Sequence, residues 1–136
     1  MCLFPREEIK IAKKPILCLK IIGEEKKYLF GLLKFWRSPM REIDKNRKFG
    51  KVLTACKRLH TELDINDQVV INSGFHLYDN TSHAEQSYIF QWGGKCIKPA
   101  LIPQGAEYCF GNNGDIVANQ IVVFENKELR EKYLKR

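Results

Sequence analysis

The chain has 136 residues, of which 44% are hydrophobic and 29% are charged, and its formal net charge is +7. This length and composition exclude a disordered chain and predict one compact domain over residues 1–136. The apolar runs are far shorter than the ~20 residues that cross a bilayer, and the first residues lack a signal-peptide pattern, so we expect a cytoplasmic protein without membrane contact.

The first third of the chain is predicted to contain two strands and a loop. Residues 15–22, PILCLKII, favour a β-strand, and residues 27–33, KYLFGLL, follow closely enough to form a hairpin with it. Residues 34–50 are polar and lack a clear periodicity, which predicts a long irregular connection.

The middle of the chain has the least clear pattern. Apolar residues within 52–63 recur at helical spacing and favour a helix, although the first three, VLT, are equally typical of a short strand. Residues 68–72, QVVIN, predict a strand. Four residues of helix-capping type at 79–82 precede 83–92, HAEQSYIFQW, which predicts a helix that ends at two glycines.

The last third predicts three strands, at residues 95–103, 106–110 and 115–124. The NNG sequence at 112–114 is typical of a tight hairpin turn. Residues 126–136 contain strong helix formers and predict a terminal helix. The fold class is therefore α+β, with mostly antiparallel strands and two or three short helices.

No complete catalytic or metal-binding motif is present. The five cysteines are scattered without a C-x-x-C pair, and the three histidines lack the spacing of a metal site. Phosphate-binding, dinucleotide-binding, zinc-protease and nucleophile-elbow motifs are also missing from the sequence. We therefore expect no metal, no cofactor and no disulfide, and we interpret each cysteine as a small hydrophobic residue.

The positive charge is concentrated in three segments, and the middle one is the most suggestive. Its members suited to phosphate binding are Arg37, Arg41, Arg47 and Lys48. Aromatic residues lie before and after this cluster and are suited to stacking on a base. The alternative is that the charges form a solvated face and that the aromatic residues form the core.

Two ordered segments in the second half carry the remaining signal. They are GFHLYDNTSHAE at 74–85 and ALIPQGAEYCFGNNGDIVANQIVVF at 100–124. Together with an N-terminal I-A-x-x-x-I-x-C segment, the chain resembles an uncharacterised group of small proteins from gut Bacteroides-type bacteria and their phages. The matching residues are Ile11, Ala12, Ile16, Cys18, Gly74, Phe75, His76, Ala84, Ile102, Pro103, Gly105 and Tyr108. This resemblance implies a source and no activity.

The same order of motifs more remotely resembles the ADP-ribosyltransferase fold. The resemblance is carried by Gly74, Phe75, Thr81, Ser82, Ile102, Pro103, Gly105 and Tyr108. Where that family has its catalytic glutamate, this chain has Asn119 and Gln120, and a neutral amide does not supply the negative charge. Where the family has an arginine that clamps phosphates, this chain has Lys20, which keeps the charge without the bidentate geometry. The resemblance thus implies a degenerate nucleotide cleft.

The candidate ligand-binding residues follow from these motifs, and none is predicted to be catalytic. They are Lys20, Gly74, Phe75, His76, Tyr78, Glu85, Tyr108, Asn119 and Gln120. The alternative interpretation makes them turn glycines, core aromatic residues, a hydrogen-bonded histidine and a solvated glutamate.

Three functions are compatible with this sequence. The first is a non-catalytic binding module for a nucleotide, a nucleic acid or a host protein, serving as an accessory protein of a phage. The second is a structural, assembly or virion-associated protein. The third is an atypical ADP-ribosyltransferase or NAD-cleaving enzyme that uses Glu85 or Glu107 as its acid.

Overall fold

The fold is described by a computed structural model over residues 3–28, 33–38, 47–87, 90 and 95–136. Its strands are β1 Lys10–Ile11, β2 Ile16–Ile22, β3 Glu24–Tyr28, β4 Leu33–Arg37, β5 Arg47–Lys48, β6 Leu53–Thr54, β7 Glu62–Leu63, β8 Val69–Val70, β9 Phe75–Tyr78, β10 Cys96–Ile102, β11 Glu107–Phe110, β12 Asp115–Ala118 and β13 Gln120–Val123. The helices whose bounds are described are α1 Thr81–Gln86 and α2 Lys127–Leu134.

Eight strands form one large sheet in the order β1-β11-β12-β9-β2-β10-β13-β6. Every described strand pair in it is antiparallel. Strands β12 and β13 are separated by three other strands, yet Asn119 alone connects them along the chain. Because one residue spans only a few ångströms, the sheet must curl back on itself so that these strand ends meet.

The curled sheet encloses the main hydrophobic core on its inner face. Side chains point alternately toward and away from this face along each strand. Those that point toward it include Cys18 and Ile22 of β2 and Ile121 and Val123 of β13, and all four are buried. A second sheet, of order β3-β4-β5, contributes Trp36, which is fully buried in the same core. The second layer of strands therefore covers part of the inner face.

The outer face of the large sheet is covered by helices α1 and α2 and by the segment before β9. Helix α1 buries Ala84 against Ile21 and Tyr78. Helix α2 has no buried residue, but its Arg130 Nη1 donates to the carbonyl oxygens of Cys18 and Ala100, at 3.0 and 3.1 Å. Charged donors of this kind form strong hydrogen bonds, so one side chain anchors the terminal helix.

Several sequence predictions are confirmed. Strands at 15–22, 95–103 and 106–110, the hairpin turn at 112–114 and the helix within 126–136 all occur. The predicted α+β class with mostly antiparallel strands also holds for the described residues. The strand predicted at 68–72 is reduced to β8 and a bridge between Leu3 and Ile71.

Two predictions in the first third are wrong. The described residues of 27–33 do not form a hairpin with β2, because they belong to β3 and β4, which pair with each other. The irregular connection predicted at 34–50 contains most of β4 and all of β5, while residues 39–46 lie outside the described ranges. Burial of Trp36 explains why this polar segment forms strands.

The helix predicted at 52–63 is also wrong. Leu53 pairs with Ile121 in β6 and packs on the inner core, whereas Leu59 belongs to a cluster on the outer face. The apolar residues of this segment therefore contact opposite faces of the sheet, which a single helix cannot do. The alternative of a short strand at 52–54 is confirmed.

Two element boundaries differ from the predictions. The strand predicted at 115–124 is divided into β12 and β13 at Asn119. The helix predicted at 83–92 begins at Thr81, because the Asn80 side chain accepts the backbone N–H of His83, and it ends at Gln86. The two glycines predicted to end it lie outside the described residues.

Gly74 occupies a position where the curled sheet leaves no room for a side chain. Its φ is +83°, and a Cβ there would lie 2.7 Å from the carbonyl oxygen of Ala118. Gly105 has a similar φ of +90° but no atom within 4 Å of the corresponding Cβ position. The two glycines therefore share a left-handed backbone that would strain a substituted residue, but only Gly74 has the steric contact.

We expect Gly105→Ala to lower the free energy of unfolding by about 1–2 kcal/mol through its left-handed backbone alone. Gly74→Ala should lower it by about 1–3 kcal/mol more, because the new methyl group displaces packed backbone. Urea unfolding of both variants measures the difference. Equal losses in the two variants would show that the contact with Ala118 is unimportant.

Candidate functional site

The corner between β12 and β13 organises one end of the large sheet. Asn119 N donates to Glu107 O at 3.0 Å, and Glu107 N donates to Asn119 Oδ1 at 2.8 Å. The Asn119 side-chain amide also donates to Glu107 Oε1 at 3.1 Å, while Asn119 O accepts the backbone N–H of Ala55 at 2.8 Å. Asn119 is thus fixed as the crossover residue rather than held as a free amide.

Glu107 is the best-connected carboxylate in the described part of the chain. Its Oε2 accepts from Arg58 Nη2 at 2.8 Å and Nε at 3.2 Å, and its Oε1 also accepts the Leu59 N–H at 3.3 Å. The hydrogen bonds from Arg58 lower the pKa of Glu107, although burial opposes this shift. Both oxygens are therefore occupied, and the carboxylate joins the 58–59 segment to the corner.

Three aromatic side chains line the inner face beside this corner, and we call them the aromatic strip: Phe75, Tyr108 and Phe110. Tyr108 and Phe75 lie on either side of the small residue Ala118 in the pairing register. Phe110 lies one pleat further along β11, with its ring centroid 5.8 Å from that of Tyr108. All three are only partly buried, unlike the core residues beside them.

A guanidinium group lies at each end of the aromatic strip. Arg47, in β5, lies 5.3 Å from the ring centroid of Phe75 and 5.5 Å from that of Trp36. Arg6 lies 5.6 Å from the ring centroid of Phe110, and its backbone N–H donates to Phe110 O. These distances are within the range of cation–π attraction.

Several sequence-predicted residues are brought together here. Phe75 and Tyr108 belong to the strip, and Gly74 contacts the corner. Asn119 is the crossover residue, and the Gln120 amide donates to Thr54 Oγ1 at 3.3 Å. These two amides have structural partners.

Four other candidates do not belong to the strip. His76 and Tyr78 occupy the outer face of β9, with their ring centroids 5.5 Å apart. Glu85 is exposed on helix α1. Lys20, at 5% exposure, lies between Cys18 and Ile22 in the alternation of β2 and so belongs to the inner face. The predicted ligand cluster is therefore divided between the two faces of the sheet.

The predicted phosphate-binding cluster is only partly assembled. Arg47 contacts the strip and Lys48 is its exposed neighbour in β5. Arg37 ends β4, where its carbonyl oxygen accepts the N–H of Gly23. Arg41 lies outside the described residues.

His76 forms a buried polar pair with Asp115. Its Nε2 lies 3.3 Å from Asp115 Oδ2, and the two side chains are 16% and 12% exposed. Burial lowers the pKa of His76, and the positive charge of Lys20 adds to this effect, while Asp115 opposes it. Burial would raise the pKa of Asp115, but the contact with His76 and backbone N–H groups hold it below its ordinary value. At neutral pH the pair is a neutral imidazole beside a carboxylate.

Sequence reasoning missed Arg6, Phe110, Arg58 and Asp115 as parts of these sites. Phe110 follows Tyr108 by two residues in a predicted strand, so the alternation of side chains would have placed both on one face. Arg6 and Arg58 reach their partners from distant parts of the chain, and no local pattern indicates them.

The described cysteines give no second site. Cys18 and Cys109 are buried, Cys56 and Cys96 are exposed, and none of these four forms a disulfide. Burial raises the pKa of the Cys18 thiol to about 12, so it remains protonated and acts as a core residue.

Comparison of the chain with family models, curated proteins and solved structures gave no match. Within the described ranges, no three His, Cys, Asp or Glu side chains lie close enough together to hold a metal ion. No helix in the same ranges has the length and apolar character needed to span a membrane.

We expect Glu107→Ala to lower the free energy of unfolding by about 1–3 kcal/mol, because the Leu59 N–H and the Asn119 amide lose their buried acceptor. Arg58→Ala is the matched control. It removes the exposed partner only and should cause a smaller loss. Urea unfolding measures both, and a larger loss for Arg58→Ala would contradict the anchoring role of Glu107.

We expect the free energy of unfolding to decrease as the pH falls below about 6.5. The folded state keeps His76 neutral, so below that pH the unfolded state binds more protons and is favoured. His76→Gln should weaken this pH dependence, whereas His60→Gln, at an exposed site, should preserve it. Denaturation at a series of pH values tests this, and an unchanged pH dependence in His76→Gln would refute it.

Proposed function

We propose that this protein is a non-catalytic binding module whose aromatic strip holds a nucleotide or a single-stranded nucleic acid. The observation that carries this proposal is the row of partly buried rings with a guanidinium at each end. Arg47 belongs to the basic cluster predicted from the sequence, and Phe75 belongs to the predicted ligand site. The guanidinium of Arg47 lies against the ring of Phe75.

The chemistry of the strip suits such a ligand. Aromatic faces stack on any base and contribute about 1–3 kcal/mol for each base, without requiring a particular sequence. Guanidinium groups bind phosphate oxygens through two parallel hydrogen bonds. The formal net charge of +7 would also increase the rate at which a polyanion meets this surface.

An NAD-cleaving activity receives less support from the acids proposed for it. Both oxygens of Glu107 are occupied by Arg58, Leu59 and Asn119, and Glu85 lies on the exposed helix α1. The ADP-ribosyltransferase-like fold, the relation to the phage-associated group and the cytoplasmic location remain predictions from the sequence.

We expect wild-type protein to bind a fluorescently labelled single-stranded oligonucleotide at low salt, measured by fluorescence anisotropy. Tyr108→Ser should weaken binding by about 5- to 150-fold, which corresponds to one lost stacking contact. Arg6→Gln should reduce the slope of log affinity against log salt by about 0.7, the value for one phosphate contact in a single strand. Lys132→Gln, on the exposed side of α2, is the matched charge control.

The outcomes separate specific binding from general attraction. Each variant is first checked for an unchanged unfolding midpoint. Equal weakening by Arg6→Gln and Lys132→Gln would mean that net charge alone attracts the oligonucleotide, and the strip would be excluded as the site. No binding by the wild type at low salt would refute the proposed function, and release of nicotinamide from NAD would favour the enzyme instead.

A further inference from the structure

The β7–β8 hairpin exposes an aliphatic surface. Leu63 and Val69 are opposite each other in the register, so their side chains lie on the same side of the hairpin. They are 64% and 50% exposed, and Ile65 at the tip is 97% exposed. Val70 points to the other side and is buried. The hairpin thus rests on the protein with one side and presents the other side to solvent.

The turn that carries Ile65 is held by a network of hydrogen bonds. Asp64 Oδ1 accepts the backbone N–H groups of Asn66 at 2.8 Å and Gln68 at 2.9 Å. Asp64 N also donates to Gln68 O, and Asp67 N donates to Asp64 O. A surface fixed in this way loses little conformational entropy when it binds a partner.

The hairpin also differs in charge from the rest of the molecule. Residues 61–72 contain Glu62, Asp64 and Asp67 but no lysine or arginine. This segment alone has a formal charge of −3. The rest of the chain is therefore three units more positive than the whole chain, whose net charge is +7. Two hairpins placed tip to tip would repel each other, because both carry carboxylates. The hairpin surface is complementary instead to a partner surface that is both basic and apolar.

We propose that the hairpin tip docks on the aromatic strip of a second copy of this chain. The strip combines apolar rings with Arg6 and Arg47, and so complements aliphatic side chains flanked by carboxylates. Within one molecule the two surfaces lie on opposite faces of the same strands. Ile71, next to the hairpin, packs with Cys109 and Val117 on the outer face, whereas the strip lines the inner face.

Such a contact joins two different surfaces and therefore leaves one tip and one strip free at the ends of each assembly. Association of this head-to-tail kind is open-ended and grows with protein concentration. It is also weakened by salt, because the charges involved are exposed. The inference depends on the strip but not on its nucleotide ligand, which would compete with the tip.

The test uses two variants that each remove one surface. Ile65→Ser alters the tip, and the double variant Arg6→Gln with Tyr108→Ser alters the strip. In sedimentation velocity, wild-type protein should form assemblies that grow with concentration at low salt. Each variant alone should associate at least about tenfold more weakly, as expected for one lost apolar contact. An equimolar mixture of the two should form dimers and stop there, because one intact tip meets one intact strip.

The results distinguish this inference from the proposed function. A monomeric wild type at all concentrations would overturn the inference, and so would failure of the mixture to form dimers. Persistent self-association of Ile65→Ser would also overturn it. If a wild type that remains monomeric still binds the oligonucleotide, the proposed function stands while this inference fails. Lys132→Gln, the same control as above, should assemble like the wild type.

Discussion

The structure depends on the passage of the chain from β12 to β13 through the single residue Asn119. These strands are third and seventh in the order of the large sheet, so a one-residue connection is compatible only with a sheet that curls back on itself. Hydrogen bonds between Asn119 and Glu107 hold this corner, and Arg58 and Leu59 attach the preceding segment to it. The inner core, the close approach at Gly74 and the position of the aromatic strip all follow from this curl.

The corner also explains why the aromatic strip is only partly buried. Strand β11 lies next to the short edge strand β1, so the inner face near Tyr108 and Phe110 has few neighbours on one side. Ala118, which is fully buried, lies between Tyr108 and Phe75 in the pairing register. Leu77 and Ile116, which lie on the same face, are completely covered, whereas the three rings are partly exposed. The partial exposure of the rings is the feature that favours a ligand.

Charge is distributed unevenly over this small protein, and the uneven distribution connects the two proposals. The strip has a guanidinium at each end, whereas the hairpin at 62–70 has three carboxylates around its aliphatic tip. A nucleic acid and the hairpin each combine negative charge with apolar groups. Both therefore suit the same surface of aromatic rings and guanidinium groups. Ligand binding and self-association would then exclude each other, so a nucleic acid would release the subunits from an assembly.

The sequence by itself determined the elements whose pattern is local: strand β2, strands β10 and β11, the turn at 112–114 and helix α2. It also indicated Phe75, Tyr108 and Arg47 as candidate ligand-binding residues. Phe75 and Tyr108 lie on either side of Ala118, and Arg47 lies against Phe75. Only the tertiary structure decided the two strands at 53–54 and 62–63, the division of the last strand at Asn119 and the roles of Arg6 and Arg58. The physical reason is that these features depend on contacts between distant residues, such as Leu53 with Ile121 and Arg58 with Glu107, which leave no periodicity in the local sequence.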